Sequence, residues 1–224
     1  MFLKPSTTVV PTLDQDYPDW HQGRQHYALW YLEILEPELL AYLTALREHF
    51  SDILYTPNTR QFHITLFICG FFESVNAQGM AKRQGLKLDD DYGIEQLKQH
   101  QQQLKQCSHG NLRLCTGKIN SFQSALFIEV QDPEQKLKQI RNALNLHHEE
   151  IAALEYCPHI TIGLYKNAIN SDDVFARIKE IQQQTFNIET QHITFGTYQA
   201  QILQGPLSAY YHHQLQQKSG MATT

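Results

Sequence analysis

Two stretches of the sequence decide how this chain folds: QFHITLFICGFF at residues 61–72 and PHITIGLY at residues 158–165. Both are rich in β-branched and aromatic residues, which favour strands that pack against other elements. Only one glycine interrupts the first stretch, and it lies near the end. Each stretch is therefore predicted to form a buried strand.

Each of these strands carries a histidine, an apolar residue and a threonine in succession. Side chains alternate between the two faces of a strand, so His63 and Thr65 are predicted to share one face. By the same alternation, His159 and Thr161 share one face of the second strand. Each strand thus presents an imidazole beside a hydroxyl.

The same order of elements surrounds both stretches, and it reads strand, helix, strand, helix, strand. The predicted strands are 26–34, 61–72, 111–119, 124–131, 158–165 and 185–195, and the predicted helices start at Pro37, Gly93, Asp132 and Ser171. Ile34 precedes His63 by as many residues as Val130 precedes His159. We interpret this agreement as an internal duplication, with halves at about 26–119 and 124–196.

A third copy of the motif, HITF at 192–195, falls on the last predicted strand. The corresponding strand of the first half, 111–119, has no histidine. His192 and Thr194 are therefore expected to lie outside a site formed by the two equivalent motifs.

The composition excludes several classes of function. A net charge of −5 and a pI near 6.2 disfavour binding to long duplex nucleic acid. The four cysteines form no CxxC pair, and the run LHHEE at 146–150 lacks a second set of ligands, so it is expected to be a solvated helix end and no metal site is predicted. Acidic residues interrupt the most apolar region, which excludes a membrane span, and a cytoplasmic protein is expected.

Two imidazole–hydroxyl pairs facing each other across a cleft suit transfer at phosphorus. One neutral histidine takes a proton from an attacking water, while the other, protonated, gives one to the departing oxygen. Either histidine can fill either role. Threonine hydroxyls can donate to the non-bridging oxygens, and no metal or other cofactor is required.

The sequence resembles the 2H phosphoesterase superfamily, which includes RNA 2′,3′-cyclic phosphodiesterases. The resemblance lies in RQFHITLFICGFF and CPHITIGLYK, which are similar to the two signature HxTx strands of that superfamily. The resemblance covers about residues 26–204. It implies an α+β fold in which duplicated βαβαβ units form two lobes of antiparallel sheet, backed by helices, around a central groove. It also implies that His63, Thr65, His159 and Thr161 are catalytic.

The resemblance further implies a small nucleotide or an RNA end as the substrate. The usual reaction of the family opens a 2′,3′-cyclic phosphate to a 2′-phosphomonoester without metal, and other members cut cyclic dinucleotides or 2′-5′-linked nucleotides. A non-catalytic nucleotide-binding or sensor module with the same groove is the alternative. In this chain Leu164, Tyr165 and Lys166 stand where an arginine often follows the second motif.

Four further residues are predicted to contact the substrate. Tyr165 and Lys166 lie just beyond the second motif, and Tyr27 is an aromatic residue of the first strand. Arg24 belongs to an irregular arm, residues 1–25, that is predicted either to cap the groove and contact a phosphate or to pack on the surface through Trp20. Residues 205–224 are predicted to be a C-terminal tail.

Overall fold

A computed structural model describes residues 1–13, 17–73, 89–106, 110–151 and 155–215 of the 224-residue chain. Within those ranges the elements are α1 (Tyr17–His21), β1 (His26–Glu33), α2 (Pro37–His49), β2 (His63–Glu73), β3 (Asp91–Gly93), α3 (Ile94–Gln106), β4 (Leu112–Ser121), β5 (Ala125–Gln131), α4 (Lys136–Leu144), β6 (His159–Leu164), α5 (Ser171–Glu180), β7 (Asn187–Thr190), β8 (His192–Gln199) and β9 (Leu207–Gln214). None of the described helices is long and apolar enough to cross a membrane.

The strands form a sheet in the order β7-β4-β5-β6-β2-β1-β8-β9, and β3 is added beside β2. All pairs are antiparallel except β2–β3. The motif strands β2 and β6 are neighbours in the middle, so one lobe consists of β1, β2, β8 and β9 and the other of β4, β5, β6 and β7. The prediction of an α+β fold with two antiparallel lobes is confirmed.

The two halves of the predicted duplication, 26–119 and 124–196, exchange their last strands. β4 ends the first half but pairs with β5 and β7, whereas β8 ends the second half but pairs with β1. The prediction of a single strand at 185–195 is therefore wrong. The extended strand is interrupted at Gln191, and β7 and β8 pair in opposite lobes. The apolar positions change phase at this point, from Phe186 and Ile188 to Ile193 and Phe195, and this is the sequence signal that the prediction of one continuous strand overlooked.

The main core lies on the face of the sheet that the helices cover. Ile64 and Leu66 of β2 and Ile160 and Ile162 of β6 are fully buried there. On the covering side, α2 begins at the proline and buries one face through Leu39, Leu43 and Leu46. The alternation predicted for the two HxT strands thus holds, and it turns both histidines and both threonines away from the core.

Both ends of the described chain are tied to the sheet. Phe2 bridges Phe122 and Thr8 bridges Asn170, so the predicted arm runs along the β4–β5 lobe. Residues 207–214 fall in the predicted tail, but they form β9 and pair along β8, so the sheet extends past residue 204. The sequence also predicts a long loop at 73–90; most of it, and the last residues of the predicted tail, 216–224, lie outside the described residues.

Arg24 fixes the end of the arm to the sheet. It is 8% exposed and forms ion pairs with Asp90 and, at 3.2 Å, with Asp91, and its guanidinium lies 3.6 Å from the centre of the Phe71 ring. Gly70 makes this arrangement possible: its φ is +107°, and a Cβ there would lie 2.2 Å from the Asp90 carbonyl oxygen. The arm is therefore anchored by buried charge.

Replacing Arg24 with Met is expected to lower the free energy of unfolding by about 3 kcal/mol, because Asp91 is buried and would lose its cation. Chemical denaturation of both proteins measures this difference. Arg113→Met is the matched control, since Arg113 pairs with Glu189 at an exposed position, and the expected loss is below about 1 kcal/mol. Equal losses in the two variants would contradict the anchoring role.

Candidate functional site

The two motif strands meet at a single residue pair. Ile64 pairs with Ile160 in an antiparallel arrangement, and no other β2–β6 pair is formed among the described residues. One residue to either side, this register sets His63 opposite Thr161 and Thr65 opposite His159. His63 and His159 are then diagonal neighbours, whose Cβ atoms lie about 7–8 Å apart in a regular strand pair, so both imidazoles can reach one phosphate-sized group.

Both imidazoles are oriented in the same way by the backbone. The His63 Nδ1–H donates to the Gln61 carbonyl at 2.8 Å, and the His159 Nδ1–H donates to the Cys157 carbonyl at 2.7 Å. A carbonyl oxygen only accepts hydrogen bonds, so Nδ1 carries the proton in both rings. The Nε2 atom of each neutral ring is therefore left as the proton acceptor.

The groove lowers the pKa of both histidines. Burial is the main cause of a pKa of about 4 for His63, and the positive charges of Arg60, His159 and Arg47 lower it further. Burial also lowers the pKa of His159, against the hydrogen bond to Cys157, which raises it. Both rings are consequently neutral at pH 7, and a bound anion would raise both pKa values because it favours the charged form.

Aromatic rings flank the imidazoles from the neighbouring strands at equivalent positions of the duplication. Tyr31 pairs with Thr65 and meets the His63 ring edge to face at 5.7 Å. Phe127 pairs with Thr161, and its ring centre is 5.3 Å from that of His159. These rings restrict the imidazoles to positions that point into the groove.

Arg60 lies on the His63 side of the groove, and its positive charge lowers the pKa of that ring. Its guanidinium lies 3.7 Å from the centre of the Tyr198 ring, and its Nε–H donates to the Gly205 carbonyl at 2.5 Å. Reasoning from the sequence did not single out Arg60. The sequence signal that could have indicated it is its position three residues before His63, just ahead of the motif.

A second group, which we call the inter-strand clasp, joins the segment before β6 to β2 and consists of Arg141, Glu150 and Tyr156. The Tyr156 hydroxyl donates to the Thr65 carbonyl at 3.0 Å, and the Glu150 carboxylate accepts from the Ile68 amide at 3.0 Å. Arg141 pairs with Glu150 at 2.5 Å and lies 3.8 Å from the centre of the Tyr156 ring. The clasp thus sets the position of one motif strand against the other.

The clasp corrects the expectation that LHHEE is a solvated helix end. His148 hydrogen-bonds the Cys69 carbonyl at 3.0 Å, and Glu150 binds Arg141 and Ile68. α4 ends at Leu144, so this run is a connection that folds back on β2. Among the described residues, no three His, Cys, Asp or Glu side chains are grouped to hold a metal ion.

A cavity of about 780 Å³ opens from the two motif strands toward the clasp. It is bordered by Thr65 and His159, and its other lining residues are Met1, Phe2, Ile68, Phe122, Ser124, Arg141, Glu150, Glu155, Tyr156, Cys157 and Pro158. Cavities that hold small ligands are about 300–1,000 Å³ and combine apolar walls with a few polar groups. This cavity has the size and the lining of a small-ligand site.

The structure does not bring the four additional binding candidates to the histidines. Tyr165 is fully buried, and its hydroxyl hydrogen-bonds Ser121 at 2.7 Å. Lys166 donates to the Ser51 carbonyl behind α2, and Arg24 is held by its two aspartates. Tyr27 packs between Trp20 and Phe71, with 4.8 Å between ring centres in each case.

Their sequence positions were misleading for one physical reason. Tyr165 and Lys166 follow the second motif, whereas Arg24 and Tyr27 lie at the start of the first strand, and all four side chains are occupied by burial or by partners away from the histidines. The arm packs through Trp20, as the alternative reading proposed. His192 lies two strands away from β2, at the start of β8, and Thr194 hydrogen-bonds His212 at 3.0 Å.

Solved structures show the same class of fold. Escherichia coli LigT complexed with 3′-AMP aligns with a TM-score of 0.57 at 15% identity, over 87% of this chain and 100% of LigT. A protein described as a phosphoesterase aligns with a TM-score of 0.57 at 15% identity, over 87% of this chain and 99% of its own. LigT complexed with NADP⁺ aligns with a TM-score of 0.50 at 13% identity, over 86% and 99%.

These alignments show a LigT-like α+β fold. The model of the 2′-5′ RNA ligase superfamily matches residues 35–201, which include both motifs. The chain belongs to this superfamily, the 2H phosphoesterases. No curated protein sequence matched the chain.

In the free protein, NMR titration of the His63 ring is expected to give a pKa near 4. Because this value lies below the ordinary value of about 6.5, the unfolded chain binds more protons, and stability should fall as the pH falls from about 6.5 to 4. An unshifted His63 pKa near 6.5 in the free protein would contradict the described environment.

Tyr156→Phe tests the inter-strand clasp. The Thr65 carbonyl loses its donor, so the free energy of unfolding should fall by about 1 kcal/mol and the NMR resonance of His159 should shift as β6 moves. Tyr42→Phe removes a comparable hydroxyl, which donates to the exposed Gln182 carbonyl at 3.3 Å, and should change neither quantity measurably. An unmoved His159 resonance in Tyr156→Phe would show that the clasp does not position the site.

Proposed function

We propose that this protein is a metal-independent phosphodiesterase that hydrolyses a 2′,3′-cyclic phosphate or a small 2′-5′-linked or cyclic nucleotide. The observation that carries the proposal is the pair of opposed imidazoles, each with Nδ1 tied to a carbonyl and Nε2 free to exchange a proton with a group in the groove. Two such groups on opposite sides of one phosphorus are what in-line transfer needs.

The substrate class is supported by two further observations. Complexes of the structurally similar LigT contain 3′-AMP and NADP⁺, both small nucleotides. The cavity beside His159 is large enough for one nucleoside and is lined by aromatic as well as polar side chains. A net charge of −5 agrees with a small substrate held by local contacts rather than a long nucleic acid held by an extended basic surface.

The reaction follows from the two Nε2 atoms. One neutral imidazole removes a proton from water as the water oxygen bonds to phosphorus. The bond from phosphorus to the 3′ oxygen of the ribose breaks, and the second imidazole, protonated, gives its proton to that oxygen. The product is a 2′-phosphomonoester, and the proton returns from the first ring to the second through solvent.

The surroundings favour His63 as the base and His159 as the acid. The positive charges of Arg60 and Arg47 disfavour a proton on His63. When a phosphate anion binds, the proton that it favours is therefore held more readily by His159. Glu129, which pairs with His159 across β5–β6, adds a carboxylate on the acid side. Each proton transfer contributes about 10² to 10⁴ in rate.

Thr65 and Thr161 complete the site. Each lies opposite the histidine of the other strand, so its hydroxyl faces the same group as both rings. The hydroxyls can donate to the two non-bridging oxygens, where negative charge redistributes as the bonds change. Neither threonine needs to gain or lose a proton.

The test is hydrolysis of nucleoside 2′,3′-cyclic phosphates, cyclic dinucleotides and 2′-5′-linked dinucleotides in EDTA. The natural protein should open at least one substrate with a bell-shaped pH profile, and His63→Ala and His159→Ala should each lower kcat by at least about 10². His192→Ala changes the third HIT motif and should leave kcat unchanged. Dependence of the rate on added metal would contradict the mechanism.

The same variants test the division of roles. A nucleotide ester with p-nitrophenol as the leaving group needs little protonation, so His159→Ala should retain most activity on it while His63→Ala does not. The reverse result would assign the role of acid to His63 and that of base to His159. Tight binding of a nucleotide that is recovered intact would instead establish the non-catalytic binding module.

A further inference from the structure

The N-terminal arm places an aromatic side chain in the wall of the cavity. Phe2 is 46% exposed, and it lines the same cavity as Thr65 and His159. A large apolar ring that is half open to a cavity beside reactive groups marks a surface for contact with a ligand. The arm lies outside residues 35–201, the part that matches the family model.

The backbone holds Phe2 in this position. Phe2 bridges Phe122, with the Leu3 amide donating to the Ser121 carbonyl at 2.9 Å and the Gln123 amide donating to the Met1 carbonyl at 3.1 Å. Leu3 is buried in the main core, so the arm cannot swing away without exposing it. The ring is thus fixed before any ligand arrives, which reduces the entropy lost on binding.

Phe2 extends a group of rings that reaches the reacting centre. Its ring centre is 5.3 Å from that of Phe122, which in turn stacks on Phe127 at 4.0 Å and meets the His159 ring edge to face at 4.9 Å. We call Phe2, Phe122 and Phe127 the aromatic wall. Phe2 and Phe122 line the cavity beside His159, and Phe127 is fully buried against Phe122.

We propose that the aromatic wall is a nucleobase site and that Phe2, supplied by the arm, stacks against the base of the substrate. This inference rests on the proposed phosphodiesterase function. A phosphate between the two histidines would leave its nucleoside beside the ring of His159, within reach of Phe122 and Phe2. Stacking on an aromatic ring suits every base, since each has a π face.

The charges of the cavity favour a base over a second phosphate. Glu155 and the carboxylate of Glu150 line its far end, and the cation there, Arg141, is already paired with Glu150. A further phosphate group would meet the carboxylate of Glu155, whereas the amino and imino groups of a base can donate to it. The cavity therefore fits an uncharged aromatic ring with hydrogen-bond donors.

The experiment compares adenosine 2′,3′-cyclic phosphate with base-free ribose 2′,3′-cyclic phosphate. Phe2→Ala is expected to lower kcat/KM for the adenosine substrate by about 5- to 20-fold, mainly through KM, and to leave the base-free substrate unchanged. Phe2→Trp should restore the adenosine value. Val10→Ala alters another exposed apolar residue of the arm that does not line the cavity, and it should change neither substrate.

Equal losses on both substrates in Phe2→Ala, or no loss on either, would overturn the nucleobase site while leaving the phosphodiesterase function intact. If the natural protein opens neither substrate, the site is tested instead by calorimetric titration with 3′-AMP and with ribose 3-phosphate. The nucleobase site requires that Phe2→Ala weakens only the binding of 3′-AMP. Equal binding of 3′-AMP by both proteins would overturn it.

Discussion

The pairing of Ile64 with Ile160 is the constraint on which the site depends, because it is the one place where the ladders of the two lobes join within the described residues. A single pair cannot fix the angle between two strands by itself. The two side chains insert into the main core beneath the helices, so the junction is held by packing at that point. The histidines and threonines sit on the other face, one residue to either side of the pair.

Bonds on both faces of the sheet stabilise this junction. On the helical face, the Arg47 Nε–H donates to the Ile162 carbonyl of β6, and its terminal nitrogens donate to the Arg60 carbonyl just before β2. Burial lowers the pKa of Arg47 to about 10, which still leaves it charged at neutral pH. On the groove side, the clasp joins Tyr156 to Thr65. The strands can therefore diverge to form a groove without losing their register.

The sequence predicted the parts of this arrangement that follow from local rules. Alternation along a strand places His63 with Thr65 and His159 with Thr161, and the equal spacing in the two halves gives the duplication. Other features depend on distant partners, which a local pattern does not contain. The exchange of β4 and β8, the ion pairs of Arg24 and the burial of Tyr165 under Ser121 each join residues that are far apart in the chain. Phe2 was missed for the same reason, since its role comes from a bridge to Phe122.

The predicted duplication gives the two histidines equivalent positions. The proposed proton transfer, however, needs one ring to be neutral and the other to be protonated. If both sites had the same surroundings, the one proton that they share would occupy each ring equally, and half of the bound complexes would hold it on the wrong side of the phosphate. The residues around the repeat remove this equivalence. Arg60 stands near His63 alone, whereas Glu129 and the aromatic wall lie beside His159. In the proposed mechanism these surroundings divide the proton roles, and Phe2, which the arm adds only to the second lobe, gives the groove a direction in which a nucleotide could lie.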